Sequence, residues 1–204
     1  MRSLSLTLLI VCALAACSPT QDQKGRVSES EVADKAIYFK EVFIRKFKPI
    51  DLPLTLRPLE TGERPTTNPE SADTLFFRNG VTYAICYGIL PDTLNYYGVI
   101  WQGIADFDPP YLTTFTKQGD IIDEAELFVG QCGGADCGWT CSETIKIDEQ
   151  YKIVSVDTVT TFDCDSVKGN LKKSVFYKSG YVNDKGIITM TPEIVIQGIK
   201  SVDE

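Results

Sequence analysis

The stretch that decides the fold is residues 111–129, YLTTFTKQGDIIDEAELFV. Aromatic and β-branched residues lie on both sides of a short polar segment, a pattern typical of two strands joined by a hairpin. In Thr116-Lys117-Gln118-Gly119 the glycine stands where a type I turn with a G1 bulge requires a positive φ, and Asn183-Asp184-Lys185-Gly186 repeats that chemistry. The stretch therefore predicts antiparallel strands connected by tight turns.

Working outward, the chain from residue 73 onward consists of similar segments. No helical pattern that could serve as a parallel crossover interrupts them, so the sheet should be antiparallel. We expect a mainly all-β fold in which an antiparallel meander forms a barrel, a half-barrel or a curled sheet, with a β-sandwich as the alternative. The predicted strands are 73–78, 81–89, 94–103, 111–117, 120–129, 141–147, 151–162, 171–179, 186–191 and 194–199.

One helix is predicted before the strands, at about 29–46. Ser28-Glu29-Ser30-Glu31 has the form of a capping box, and Phe39, Phe43 and Phe47 continue an apolar face at helical spacing. The prolines within 51–59 favour an extended or edge strand. Segments 81–103 are apolar on both faces, so we expect them at the centre with the helix over one side, whereas the later strands should turn one face to water.

The N-terminal residues 1–17, MRSLSLTLLIVCALAAC, indicate export. The apolar run is about 11 residues long, against about 20 needed to cross a bilayer. Leu14-Ala15-Ala16-Cys17 resembles the lipobox of bacterial prolipoproteins. It implies a signal peptide at 1–16, a Cys17 lipidated by palmitate-type chains, a tether at 17–27 and a single β-rich domain at 28–204. Ser18 in place of aspartate resembles the sorting signal for the outer membrane.

The composition argues against several kinds of chemistry. With 20 Lys+Arg against 28 Asp+Glu, the formal net charge of −8 argues against nucleic acid and against electrostatic binding to anionic lipid. The absence of histidine excludes Ser-His-Asp and Cys-His catalysis and histidine-containing metal sites. Asp106 and Asp108 have the spacing of the first calcium-loop ligands, but the rest of that motif is missing. Glu124 and Glu126 could in principle act as a catalytic pair of carboxylates. Alternation puts them on one strand face with Ile122 and Phe128, and we expect that face simply to be solvated. We expect no metal ion, no organic cofactor and no catalytic residue.

Seven cysteines fit an oxidising compartment. Cys86, among small residues in a predicted strand, is expected to be a buried free thiol. Two disulfides are expected among Cys132, Cys137, Cys141 and Cys164. A turn at 148–150 would place residue 147 near 151, which favours Cys137–Cys164 with Cys132–Cys141. The alternative is Cys132–Cys137 with Cys141–Cys164.

Two further segments carry a resemblance. The hairpin Tyr111–Asp123, and Cys132-Gly133-Gly134 with Cys137-Gly138-Trp139-Thr140-Cys141 and the strand that follows, are similar to the hairpin and the Cys/Gly-rich loop of uncharacterised Bacteroidota-type β-rich lipoproteins. The likeness covers about residues 80–190. It implies a fold and a location in the cell envelope, but no activity.

Three classes of function fit these observations. The first is a membrane-anchored binding module for a protein, glycan or lipid; the second is a periplasmic inhibitor or immunity protein; the third is a hydrolase that works without histidine. For the binding module, neighbouring strands supply an aromatic patch, which is alternatively core packing. The patch consists of Tyr83, Tyr87, Tyr96, Tyr97 and Trp101.

Overall fold

The computed structural model describes residues 29–57, 64–78, 81, 83–91, 94–103, 109–130, 139–161 and 172–200. The predicted signal peptide, Cys17 and the tether lie outside these residues. Within them, two antiparallel sheets and one N-terminal helix form the fold, which confirms the mainly all-β prediction. The described strands do not close into a barrel.

Sheet A has four strands in the order β2-β3-β4-β5, each pairing with the next along the chain. Such a meander is what short hairpin connections produce. Its strands are β2 (Ala84–Ile89), β3 (Tyr97–Gly103), β4 (Pro110–Phe115) and β5 (Ile121–Glu126).

Sheet B has six strands in the order β1-β6-β7-β8-β10, with β9 also paired to β8. The proline-containing segment 51–59 supplies β1 at one edge, as the sequence predicts. The strands are β1 (Leu54–Leu56), β6 (Trp139–Ile147), β7 (Lys152–Thr161), β8 (Lys172–Val182), β9 (Ile188–Met190) and β10 (Ile194–Lys200).

The helical segment spans the predicted 29–46 but is not uniform. Helix α1 (Glu29–Tyr38) passes into a π-helical turn at Phe39–Phe43 and a 3₁₀ turn at Ile44–Lys46. The Ile44 N–H donates to the Phe39 carbonyl, five residues back. Both Phe39 and Phe43 are fully buried, so the wider turn keeps two rings spaced four apart on the side that packs against the sheet.

Two clusters of buried side chains define three layers. Between the sheets, Ile100 and Leu112 of sheet A meet Ile145, Ile147 and Ile153 of sheet B. On its other face, sheet A packs against the helical segment through a cluster rich in aromatic residues. Sheet A is therefore the middle layer, and its central strands are covered on both faces as predicted. The second cluster contains Phe39, Phe43, Phe47, Phe76, Phe77, Ala84, Cys86, Val99, Trp101 and Phe115.

The predicted strand at 73–78 is wrong, because Ala72–Phe76 forms a 3₁₀ helix. The Ser71 hydroxyl accepts from the Asp73 N–H and caps this turn. The buried Asp73 carboxylate accepts from the Asn68 N–H and pairs with Lys46 and Tyr38. These side-chain bonds hold the segment in a turn in place of a sheet ladder.

Three hairpin turns share one geometry. Gly119 (φ 91°) donates to the Thr116 carbonyl, and Gly186 (φ 80°) donates to the Asn183 carbonyl, as the turn chemistry predicts. The β6–β7 turn repeats this with Tyr151 (φ 58°), which donates to Asp148. Because Asp148 lies opposite Lys152, to whose carbonyl it donates, Ile147 pairs with Ile153, and the predicted pairing of 147 with 151 is wrong.

Candidate functional site

Sheet B has one face turned away from sheet A, which we call the outer face. Every second residue of β6 and β7, such as Ile145 and Ile153, packs in the core. The intervening residues of each strand therefore point outward. Cross-strand pairing arranges the outward side chains in two rows. One row is Thr144, Val156, Tyr177 and Ile194, and the other is Ser142, Thr158, Val175 and Ile196.

Apolar side chains on the outer face are open to solvent. Ile194 is 55% exposed and Ile196 is 61% exposed, while Val156 and Tyr177 are half-buried. A shallow groove of about 310 Å³ lies over β6 and β7. Contiguous exposed apolar residues of this kind mark sites of interaction. The groove is lined by Ser142, Thr144, Lys146, Val154, Val156 and Thr158.

The charge of the outer face is opposite in sign to the net charge of the chain. The pairing register turns Lys146, Lys152 and Lys173 outward, and all three are exposed. Glu143 and Asp157 face the interior and are buried. In the described parts of β6, β7 and β8, every charged side chain on the outer face is thus a lysine, in a chain of formal net charge −8. This arrangement favours contact with carboxylates.

Behind the outer face, two carboxylates lie directly opposite each other across β6 and β7. Glu143 is only 6% exposed, and its Oε1 accepts from the Val129 N–H at 2.5 Å. Burial raises the pKa of Glu143 to about 7; the bond from Val129 opposes this rise and the charge of Asp157 adds to it. Glu143 can therefore hold a proton at neutral pH. Because its side chain points into the interior, we expect it to affect the stability of the fold and not the chemistry of the outer face.

The structure does not bring the five predicted aromatic residues together on one surface. Tyr96 is buried between the sheets, and Tyr87 packs at the margin of the same core. The Arg64 guanidinium covers the Tyr87 ring at 3.7 Å from its centroid. Tyr83 is 54% exposed, just before β2.

The other two aromatic residues lie on the opposite face of sheet A. Tyr97 packs against Phe39 in the helix-side cluster. Trp101 is 2% exposed and stacks on Tyr111 with 4.5 Å between ring centroids. The Trp101 Nε1–H donates to the Thr113 hydroxyl at 2.8 Å, a normal partner for a buried indole. Most of the predicted patch is therefore core.

A β-bulge in β5 changes which residues share a face with its acidic side chains. Thr114 pairs with Asp123 and Phe115 pairs with Ile121, which leaves Ile122 without a cross-strand partner in this ladder. Ile122 consequently packs between the sheets, while Glu124 lies on the helix side, where it accepts from the Thr113 hydroxyl at 2.8 Å. The predicted common face of Glu124 and Ile122 is wrong.

Within the described ranges, no three His, Cys, Asp or Glu side chains are grouped closely enough to hold a metal ion. Asp106 and Asp108 lie outside the described residues.

The two cysteines that the structure describes, Cys86 and Cys141, differ in their bonding. Cys86 is a free, buried thiol, as predicted, and burial raises its pKa to about 12. A thiol with so high a pKa is protonated and unreactive at neutral pH. Cys141 is disulfide-bonded, whereas Cys132, Cys137 and Cys164 lie outside the described residues, so the pairing stays a prediction.

Two features of the site were missed in the sequence. The solvated face of the later strands was predicted, but the addition of β10 to it was not, although 194–199 is an uncharged apolar run. Glu143 and Asp157 were also overlooked. The alternation of side chains along a strand could have revealed their burial. Glu143 is two residues from Ile145 and Asp157 is four from Ile153, so each shares the inner face with an apolar residue.

In the part of the chain that the structure describes, no helix has the length and apolarity needed to span a membrane. Compared with known proteins, the chain matches no protein-family model, no curated protein and no solved structure.

Proposed function

We propose that the protein is an exported lipoprotein, held on the outer membrane through Cys17, that acts as a non-catalytic binding module. The outer face is its docking surface, and the partner is a protein with an apolar patch bordered by carboxylates. The observation that carries this proposal is the exposure of Ile194 and Ile196 beside a rim of lysines. The lipobox supports the anchor.

Charge and shape argue for a protein partner. The two rows combine β-branched side chains with a tyrosine on a pleated surface, which suits the apolar centre of a protein interface. Lys146, Lys152 and Lys173 lie around these rows, where carboxylates of a partner would gain both attraction and orientation. An inhibitor with acidic capping loops stays a prediction that the lysine rim does not favour.

The test is site-specific photo-crosslinking in the cells that make the protein. A photoreactive residue at Thr144 should give a protein adduct of defined mass, and the same residue at Lys40, exposed on the helical segment, should not. Lys146→Glu with Lys152→Glu should reduce the adduct about tenfold, because two attractions become repulsions. The matched control is Lys40→Glu with Lys48→Glu, which changes two exposed lysines elsewhere.

Two results would contradict the proposal. One is the absence of an adduct from Thr144 when the protein is folded and processed. The other is an adduct whose yield is unchanged by the Lys146 and Lys152 reversals, since the lysine rim would then have no part in binding.

A further inference from the structure

The lysines of the outer face lie at its two ends along the direction of the strands. Lys146 and Lys152 lie beside the β6–β7 turn, whereas Lys173 lies opposite Thr160 at the other end of β7. Lys152 and Thr160 are eight residues apart in β7, which corresponds to about 27 Å at about 3.4 Å per residue. The outward side chains of β7 and β8 between these ends are uncharged: Val154, Val156 and Thr158 on β7, and Val175, Tyr177 and Ser179 on β8.

The groove on the outer face is elongated in the same direction. Three successive outward positions span about 14 Å along a strand, whereas β6 and β7 lie about 4.8 Å apart. The larger side chain of Tyr177, next to Val156 on β8, borders the groove on one side. An occupant should therefore be an elongated element that lies along the strands. The lining consists of three successive cross-strand pairs, which are Ser142 with Thr158, Thr144 with Val156 and Lys146 with Val154.

The paired backbones of β6 and β7 favour a helix as this occupant. An extended peptide on the face would leave its own backbone groups unpaired, because β6 and β7 already pair with each other and with β1 and β8. A second sheet would present a broad face, which does not enter a groove two strands wide. An α-helix pairs its own backbone and is about 10–12 Å wide with its side chains, which matches the width from β6 to β8. Ile194 and Ile196 of β10 then remain for contact with the rest of the partner.

We propose that the element of the partner that binds the outer face is an amphipathic α-helix with carboxylates at both ends, lying along β7. At about 1.5 Å per residue, about 18 residues of helix span the distance between the lysines. Apolar side chains at helical spacing face Val156 and Tyr177. Carboxylates in one terminal turn reach Lys173, and those in the other reach Lys146 and Lys152. This inference rests on the proposed function, since it specifies how that protein partner binds.

The test is to photo-crosslink from three positions along β7 in the cells that make the protein, and to identify the attached partner residues by mass spectrometry. Val154, Val156 and Thr158 all point outward, and successive positions are about 6.8 Å apart. With a helix along β7, each step should move the attachment site by about four to five residues of the partner, always in the same direction. With a strand along β7, each step would move it by about two residues.

Two measurements serve as internal checks. Thr144 and Val156 lie directly opposite each other on β6 and β7, so crosslinks from these two positions should attach within one turn of the partner helix. Lys173→Glu should lower the adduct yield from Thr158 about threefold, because one attraction becomes a repulsion at that end. Lys40→Glu makes the same charge change on the helical segment and should leave the yield unchanged.

The outcomes separate this inference from the proposed function. Attachment sites that advance by about two residues per step, or in no order, would overturn the helix while leaving a protein partner on the outer face. A yield from Thr158 that does not respond to Lys173→Glu would overturn the assignment of carboxylates to both ends of the helix. Folded protein that gives no adduct from any of the three positions would contradict the proposed function itself, and this inference with it.

Discussion

Replacing Glu143 by glutamine should remove a pH-dependent loss of stability. Glutamine keeps an oxygen that can accept from the Val129 N–H, but it carries no charge opposite Asp157. We therefore expect Glu143→Gln to be more stable than the wild type above pH 7 and about equal to it near pH 4.

The magnitude follows from the pKa, which rises from an ordinary value of 4.5 to about 7 on folding. A carboxyl group with a raised pKa favours the folded state only while it is protonated. Its contribution is complete below about pH 4.5 and is lost as the pH rises to about 7, since the unfolded chain releases the proton first. At about 1.4 kcal/mol per tenfold change in proton affinity, the loss is on the order of 3 kcal/mol. The burial of Glu143 keeps solvent screening small.

The assay is urea unfolding of wild type and variant at intervals between pH 5 and pH 8. The free energy of unfolding of the wild type should fall across this range relative to that of Glu143→Gln. Glu149→Gln, at an exposed turn position, is the control and should follow the wild type. Parallel pH profiles for the wild type and Glu143→Gln would refute the reasoning, because Glu143 would then have the same pKa in the folded and unfolded states.

Three further predictions concern the core, a turn and the anchor. Phe43→Ala should lower the free energy of unfolding by about 3–5 kcal/mol, measured in urea, because it empties a site among stacked rings. Gly119→Ala should cost at least about 1–2 kcal/mol, since φ is 91° and a Cβ would lie 2.6 Å from the Phe39 ring; Gly103→Ala, whose Cβ meets its nearest neighbour at 3.8 Å, should cost less. Cys17→Ser should leave an uncut precursor without palmitate label, and normal processing of that variant would contradict lipidation.

The parts of the fold that could be predicted are those with a local cause. A positive φ demands glycine at 119 and 186 whatever surrounds them, so both hairpins could be located from the sequence. The phenylalanine spacing likewise located the helical segment. The 3₁₀ turn at 72–76 could not be predicted, because Asp73 is held by Lys46 and Tyr38, which are distant in the chain.

The candidate site depended on information that a single strand does not contain. A run such as 194–199 has the same pattern whether its strand is buried in a sandwich or exposed at an edge. Its exposure follows from the order of strands in sheet B, where β10 comes last beside β8. The environment of Glu143 similarly depends on Val129, which lies in the segment that follows β5 and donates its N–H to the Glu143 carboxylate.

The left-handed backbone of Tyr151 has a mechanical consequence. Glycine would relieve about 1–2 kcal/mol of strain at this position. The tyrosine hydroxyl, however, donates to the Pro91 carbonyl beyond β2, while its own carbonyl accepts from the Val182 N–H at 3.1 Å. Tyr151 therefore joins sheet B to the chain that follows β2 of sheet A at the β6–β7 turn, and it should resist sliding of one sheet over the other. Midway along β6, the hydrogen bond from the Val129 N–H to Glu143 connects this strand to the segment that follows β5, and its strength should change as Glu143 titrates.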